Sequence, residues 1–132
     1  MDFTLGEEHQ MLRDMVGKFA DQELGPIAEE IDEKDHVPEN IWQQLGELGV
    51  MGSNIPMEYG GGGMDVLSSV IIMEELSRQC AAVALSWLAH AILCVNNLFE
   101  HGNDQQKNQW LPKLCSGEWI GCMALTEPNS GS

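Results

Sequence analysis

CAAVALSWLAHAILCV, residues 80–95, is the stretch on which the fold turns. Only Ser86 and His90 break its apolar character. A bilayer span needs roughly 18 or more apolar residues, and this run is shorter and carries a histidine. A helix that is apolar all round must instead be surrounded by protein. The segment therefore predicts a central helix, buried on all sides and ending near Gly102. His90 on such a helix reads as a hydrogen-bonded core histidine, because buried polar groups keep partners.

The flanking segments supply the helices that would surround it. Asp65 is placed to cap a helix over 66–79, with Val66, Val70, Met73 and Leu76 as its buried line. Upstream, residues 7–34 carry apolar residues at helical spacing: Leu12, Val16 and Phe19, then Leu24, Ile27 and Ile31. Gly25-Pro26 interrupts them, which predicts a kink or two consecutive helices. Another helix starts near Pro38, turns Ile41, Leu45 and Leu48 inward, and stops at Gly49. Downstream, Asn103 or Asp104 caps a last helix through Trp110 and Leu114, with Pro112 placed to kink it. The sum is an all-α bundle of about five to six helices.

Residues 50–64, VMGSNIPMEYGGGGM, are punctuation. Four consecutive glycines invite a phosphate-cradle reading, but no Lys-Ser/Thr follows and no strand clearly precedes them in a βαβ unit. A turn or close packing is the better account.

Composition narrows function by exclusion. The chain of 132 residues has 43% hydrophobic residues, enough for one packed domain. Acidic residues number 21 against 6 Lys plus Arg, a formal charge of -15. That charge repels nucleic acid and anionic membrane surfaces. Cys80, Cys94, Cys115 and Cys122 form no CxxC pair and no zinc spacing, so reduced thiols in a reducing compartment are expected. No secretory signal or basic transit peptide is visible at the N-terminus. The four histidines are scattered, no metal site is expected, and no Ser, Cys or Lys stands as an activated nucleophile. Glu74 and Glu75 are adjacent on a helix, point in different directions, and make no acid/base pair.

After Gly117 the character changes. EWIGCMAL, 118–125, is short and apolar and reads as a strand, yet nothing else in the chain offers it a partner. TEPNSGS, 126–132, is turn chemistry flanked by two hydroxyls, Thr126 and Ser132. Such a turn is either only a turn or a nest of donors for an anionic or electron-rich ligand.

Taken in order, these motifs resemble the N-terminal part of the acyl-CoA dehydrogenase family. IPMEYGGGGMD (55–65) resembles its Pro-x-x-Tyr-Gly-Gly loop, and MEELSR (73–78) resembles the helix that follows. HGNDQQKNQWLPKLCSGEWIGCMALTEPNSGS (101–132) resembles its helix, strand and flavin-binding turn. The likeness covers essentially the whole chain and leans toward short- and branched-chain members. It implies a helical domain over 1–117, followed at 118–132 by the first strand and FAD-contacting turn of a β domain that is otherwise missing. It also implies FAD as cofactor, with Met123, Leu125 and Thr126 near the flavin ring and Gly131 and Ser132 near the pyrophosphate. Ser132 would also touch the acyl-CoA, and Ala84, Leu85, Leu88 and Ile92 would wall the acyl pocket. The family's catalytic Glu lies downstream of this chain, so no carboxylate here is expected to be the base. The implied activity is α,β-desaturation of an acyl-CoA, with electrons passing to electron-transferring flavoprotein. The resemblance further implies a homotetramer or homodimer, in the bacterial cytoplasm or the mitochondrial matrix. The alternatives are an acyl-CoA oxidase or nitroalkane oxidase-like flavoenzyme, which shares this layout, and a non-catalytic helical interaction fragment.

Overall fold

The computed structural model describes residues 4–131. Among them are five continuous helical stretches and no sheet. The first begins as α1 (Glu7–Phe19), widens into a π turn at Ala20–Leu24, tightens at Gly25–Ile27 and resumes as α2 (Ala28–Lys34). The irregular stretch falls at the Gly25-Pro26 pair, where proline removes a donor and crowds the preceding turn. Helix α3 (Glu39–Glu47) starts from Pro38, buries Ile41 and Leu45, and ends before Gly49, whose φ of 74° is the left-handed stop. Helix α4 (Val66–Gln79) is capped by the Asp65 carboxylate, which accepts from the Ser68 N–H at 2.8 Å. Next comes one 21-residue helix, Ala81–His101, formed by α5 (Ala81–Leu88), a π stretch at Ala89–Asn96 and α6 (Asn97–His101). Helix α7 (Asp104–Cys115) opens with a capping box, Asn103 and Gln106 each bonding the other's backbone N–H at 2.9 Å.

Helix α4 lies between α1 and the long helix. The main core joins Leu12, Val16, Ile41, Leu45, Ile72, Leu76, Val83 and Trp87. The indole of Trp87 is fully buried and donates to the Val50 carbonyl at 3.1 Å. A second cluster, Ile55, Val95, Leu111, Leu114 and Cys115, holds α7 to the far end of the long helix. The glycine loop is a packed turn. Ser69 of α4 bonds the Asn54 side chain at 2.5 Å, and the Gly63 N–H reaches the Ile55 carbonyl at 2.8 Å. A Cβ on Gly61 would stand 2.1 Å from the Ile55 oxygen, so packing alone accounts for glycine there.

Three expectations are corrected. The long helix is not buried on all sides: Val83, Ala84, Trp87, His90, Ala91 and Val95 face the core, while Ala81, Ala82, Leu85 and Leu93 are exposed. It is long and apolar enough by length and composition to cross a membrane, yet one whole side is packed against other helices of the chain. Of the line expected on α4, only Leu76 is buried; Val66 is 75% exposed, Val70 57%, and Met73 is half-buried. The first turns of α4, VLSSVII, carry apolar residues on two faces, so periodicity alone cannot choose between them. The two serines mark the buried face because Asp65 and Asn54 satisfy their hydroxyls. Finally, residues 118–125 form no strand ladder. A strand is defined by its partner, and among the described residues there is none.

Candidate functional site

The segment that leaves α7 is pinned to the helical layer at three points. Gly117 crosses α3 so closely that a Cβ would lie 2.7 Å from the Trp42 oxygen. The Trp119 N–H bonds the Lys113 carbonyl at 3.1 Å, and the Lys113 ammonium sits 4.6 Å from the Trp119 ring centre while pairing with Glu118 at 3.0 Å. The Gly121 N–H donates to Nδ1 of His90 at 2.9 Å, linking residues 31 apart in the chain. Beyond Cys122 the segment is largely solvent-facing. Met123 is half-buried, Leu125 is 78% exposed, and Thr126 and Gly131 are exposed. Its one regular feature is a tight turn in which Glu127 and Ser130 exchange both backbone hydrogen bonds, at 2.9 and 3.1 Å. Ser132, expected at both the cofactor and the substrate, lies outside the described residues.

Two concavities flank the exposed side of the long helix. One, of about 540 Å³, lies where the tail passes the helix and is lined by His36, Trp42, Ser86, Ala89, Gly121 and Cys122, among others. The other, of about 530 Å³ and mostly apolar, runs between α4 and the long helix, with Val66, Val70, Met73, Leu88 and Ile92 in its walls. The four residues expected to wall an acyl pocket therefore do not share one surface. Leu88 and Ile92 meet in the apolar groove. Leu85 is 63% exposed on the crest beside it, and Ala84 is wholly buried in the core. Neighbouring helical positions point about 100° apart, which separates Ala84 from Leu85.

Several ionisable groups on α4 and the first helix are held in ion pairs. Glu75 pairs with Arg78 at 3.1 Å and Arg13 at 3.5 Å, Glu74 pairs with Arg13, and Arg78 reaches Asp21 at 2.7 Å, stitching α4 to the first helix. The backbone N–H of Ser68, with help from His9, holds the Asp65 carboxyl down at about 2. Burial pushes the Cys115 thiol up to about 11 and raises that of Cys94, so neither is a thiolate nucleophile near neutral pH. Among the described residues no three His, Cys, Asp or Glu side chains gather as metal ligands.

Burial also holds the His90 imidazole below its usual pKa. The folded chain keeps the ring neutral where an unfolded histidine, titrating near 6.5, takes up a proton. The unfolded state thus binds more protons as pH falls below 6.5, and stability falls with it. Urea midpoints are expected to be flat above pH 7 and to decline as the pH falls below about 6.5. His90→Asn is expected to remove that part of the decline; an unchanged pH slope would show that His90 is not its source.

The family description "Acyl-CoA dehydrogenase, N-terminal domain" matches residues 6–118, and the chain belongs to the acyl-CoA dehydrogenase family. Among its relatives is mitochondrial isovaleryl-CoA dehydrogenase of Bos taurus, 48% identical over 97% of this chain and 30% of the bovine protein. The solved butyryl-CoA dehydrogenase of Megasphaera elsdenii superposes with a TM-score of 0.90 at 35% identity, over 99% of this chain and 35% of that one. A chain solved in work on the electron transferring flavoprotein of Acidaminococcus fermentans gives 0.93 at 37% identity, over 99% of this chain and 34% of that one. The chain thus spans about a third of the length of these relatives.

The His90–Gly121 bond was missed by sequence reasoning. The histidine announced that it needed a partner. Which of the distant amides would supply it depends on how α7 returns the chain past the long helix.

Proposed function

We propose that residues 1–117 are the helical domain, and 118–132 the opening segment of a β domain, of an FAD-dependent acyl-CoA dehydrogenase. The whole enzyme would convert an acyl-CoA thioester to its α,β-unsaturated product and pass the electrons to electron-transferring flavoprotein. One observation carries this reading: a helical domain of that family ends in a tail whose main chain is left open beside the long apolar helix. The amides of residues 123–126 bond no other backbone carbonyl among the described residues, and the Thr126 hydroxyl is exposed. Peptide donors and a hydroxyl suit the polar edge of a flavin ring, and small residues such as Gly131 let the backbone approach a pyrophosphate. In this reading the main chain at Met123 and Leu125 and the hydroxyl of Thr126 hold the ring, while Gly131 and Ser132 approach the phosphates. FAD, when bound, supplies the acceptor for the hydride that leaves Cβ of the substrate.

The acyl chain is assigned to the exposed side of the long helix. Leu85 and Leu93 are uncovered there, Leu88 and Ile92 open on the adjoining groove, and the tail passes at Ser86 and Ala89. Ala84 is left out because it is in the core. An apolar wall favours a short saturated chain and would leave a charged acyl end unpaired. The base that removes the α-proton is assigned to a carboxylate beyond residue 132, since Glu74 and Glu75 are held by Arg13 and Arg78. The enzyme is assigned to a homotetramer or homodimer of the bacterial cytoplasm or mitochondrial matrix. The test is steady-state turnover of the full-length enzyme on a series of saturated acyl-CoAs with an artificial electron acceptor. Enoyl-CoA is the expected product, and Leu85→Ala and Leu88→Ala are expected to shift the preferred chain length. Acceptor reduction without enoyl-CoA would sink the reaction, and an unchanged preference in both variants would sink the pocket.

A further inference from the structure

His90 is a buried, neutral polar side chain in the middle of the most apolar helix of the chain, and its ring is only partly satisfied. Nδ1 accepts the Gly121 N–H at 2.9 Å, while Nε2 lies by the carbonyls of Met51 and Leu114 without a well-formed hydrogen bond. A polar ring that leaves one nitrogen poorly paired weakens the core around it. What it does achieve is specific: it fixes one amide of the tail. One helical turn further on, Cys94 closes on the same glycine, and a Cβ on Gly121 would stand 2.4 Å from its sulfur. The two side chains form a saddle into which only a glycine fits. Downstream the described tail is mostly exposed, and its only backbone pairing is with itself, between Glu127 and Ser130. Gly121, and beside it Cys122, whose N–H lies against the Cys94 sulfur, are therefore where the tail is held to the long helix before the turn.

We propose that His90 is a positioning residue for the cofactor turn: by accepting the Gly121 N–H it sets the height and direction at which residues 122–131 leave the long helix. The proposal rests on the flavin reading of that turn. A shift of one residue at Gly121 would reverse which side of an extended tail each following side chain and amide faces, because extended chain alternates with a period of two. Thr126 and every other side chain of the tail would then face the opposite way from the one its present register gives it. Cys94 guards the same register sterically, since any residue but glycine would strike it.

The test separates the anchor from the flavin. His90→Asn places an amide oxygen close to the position of Nδ1. His90→Gln reaches toward Nε2 instead, and His90→Leu removes both acceptors. In the 132-residue chain, amide hydrogen exchange at Gly121 is expected to accelerate about tenfold in the Leu and Gln variants and to stay near wild type in the Asn variant, with the amides of α1 and α4 unchanged. In the full-length enzyme, FAD affinity is expected to follow the same order, weakening about tenfold with Leu or Gln and recovering with Asn. Unchanged Gly121 exchange in His90→Leu would overturn the anchor. Accelerated exchange with unchanged FAD affinity would overturn the positioning role and leave the flavin reading standing. A wild-type full-length protein that takes up no FAD would overturn the flavin reading, and the positioning role with it.

Discussion

Trp87→Ala is expected to remove about 3–5 kcal/mol of stability, the usual range for emptying a buried aromatic site. Against a total of roughly 5–15 kcal/mol for an ordinary domain, that loss brings the fold close to failure near body temperature. Three physical terms add. The indole is the largest of the wholly buried side chains, so truncation leaves a cavity in the main core. It stands on the long helix where α4 and the loop at Val50 converge, so helices cannot simply close over the gap. Its ring N–H satisfies the Val50 carbonyl, which would be left buried and unpaired. Trp87→Phe separates the terms: it keeps most of the volume and should lose only about 1–3 kcal/mol, the cost of the orphaned carbonyl. Urea unfolding followed by circular dichroism measures both. A loss below about 1 kcal/mol for Trp87→Ala would place the indole outside the core.

Gly46→Ala tests a case where local and tertiary rules have opposite signs. Inside a helix, alanine is better than glycine by about 1 kcal/mol, so α3 taken alone predicts stabilisation. The structure predicts the reverse. A Cβ on Gly46 would lie 2.0 Å from the Ser116 oxygen and 2.7 Å from its carbonyl carbon. Both are backbone atoms, so no rotamer change relieves the collision, and α3 and the end of α7 must move apart. Overpacking of this kind costs about 1–3 kcal/mol or more, which outweighs the propensity gain. The damage should be local, because Ser116 is where the tail begins. Trp119 fluorescence is expected to shift as the Lys113 contacts loosen, with the helix content of α1 and α4 unchanged. A variant more stable than the parent would mean that α3 and the start of the tail are not in backbone contact.

The helices were legible because their signals are local. Asp65 and Asn103 cap where side-chain oxygens next to apolar periodicity say they should, and Gly49 stops α3 by its left-handed φ. Which face of α4 is buried was not legible, because Val66 and Val70 are as apolar as Ile72 and Leu76. The decision rests with two serines: Ser68 is held by the neighbouring cap Asp65, and Ser69 by Asn54, which comes into reach only when the loop folds back. The exposed side of the long helix was hidden for a related reason. A strongly apolar sequence says that a surface wants cover without saying what covers it. Within the candidate site, the turn was readable as small polar residues after a short apolar run, whereas its anchoring by His90 and Cys94 depends on contacts between distant segments.

The central claim is that this helical domain and its tail serve flavin chemistry completed by parts outside residues 1–132. Anaerobic flavin bleaching tests it most directly. Residues 1–132 and the full-length protein are each saturated with FAD, freed of unbound flavin, and given stoichiometric isovaleryl- or butyryl-CoA without oxygen. The full-length chain is expected to retain one flavin that bleaches on substrate. The 132-residue chain is expected to be colourless, because binding would have to order an exposed tail that lacks a sheet to hold it. A yellow 132-residue chain that bleaches would contradict the central claim and place the base among the carboxylates of residues 1–132. A full-length protein whose retained flavin stays yellow with both substrates would contradict the proposed reaction itself.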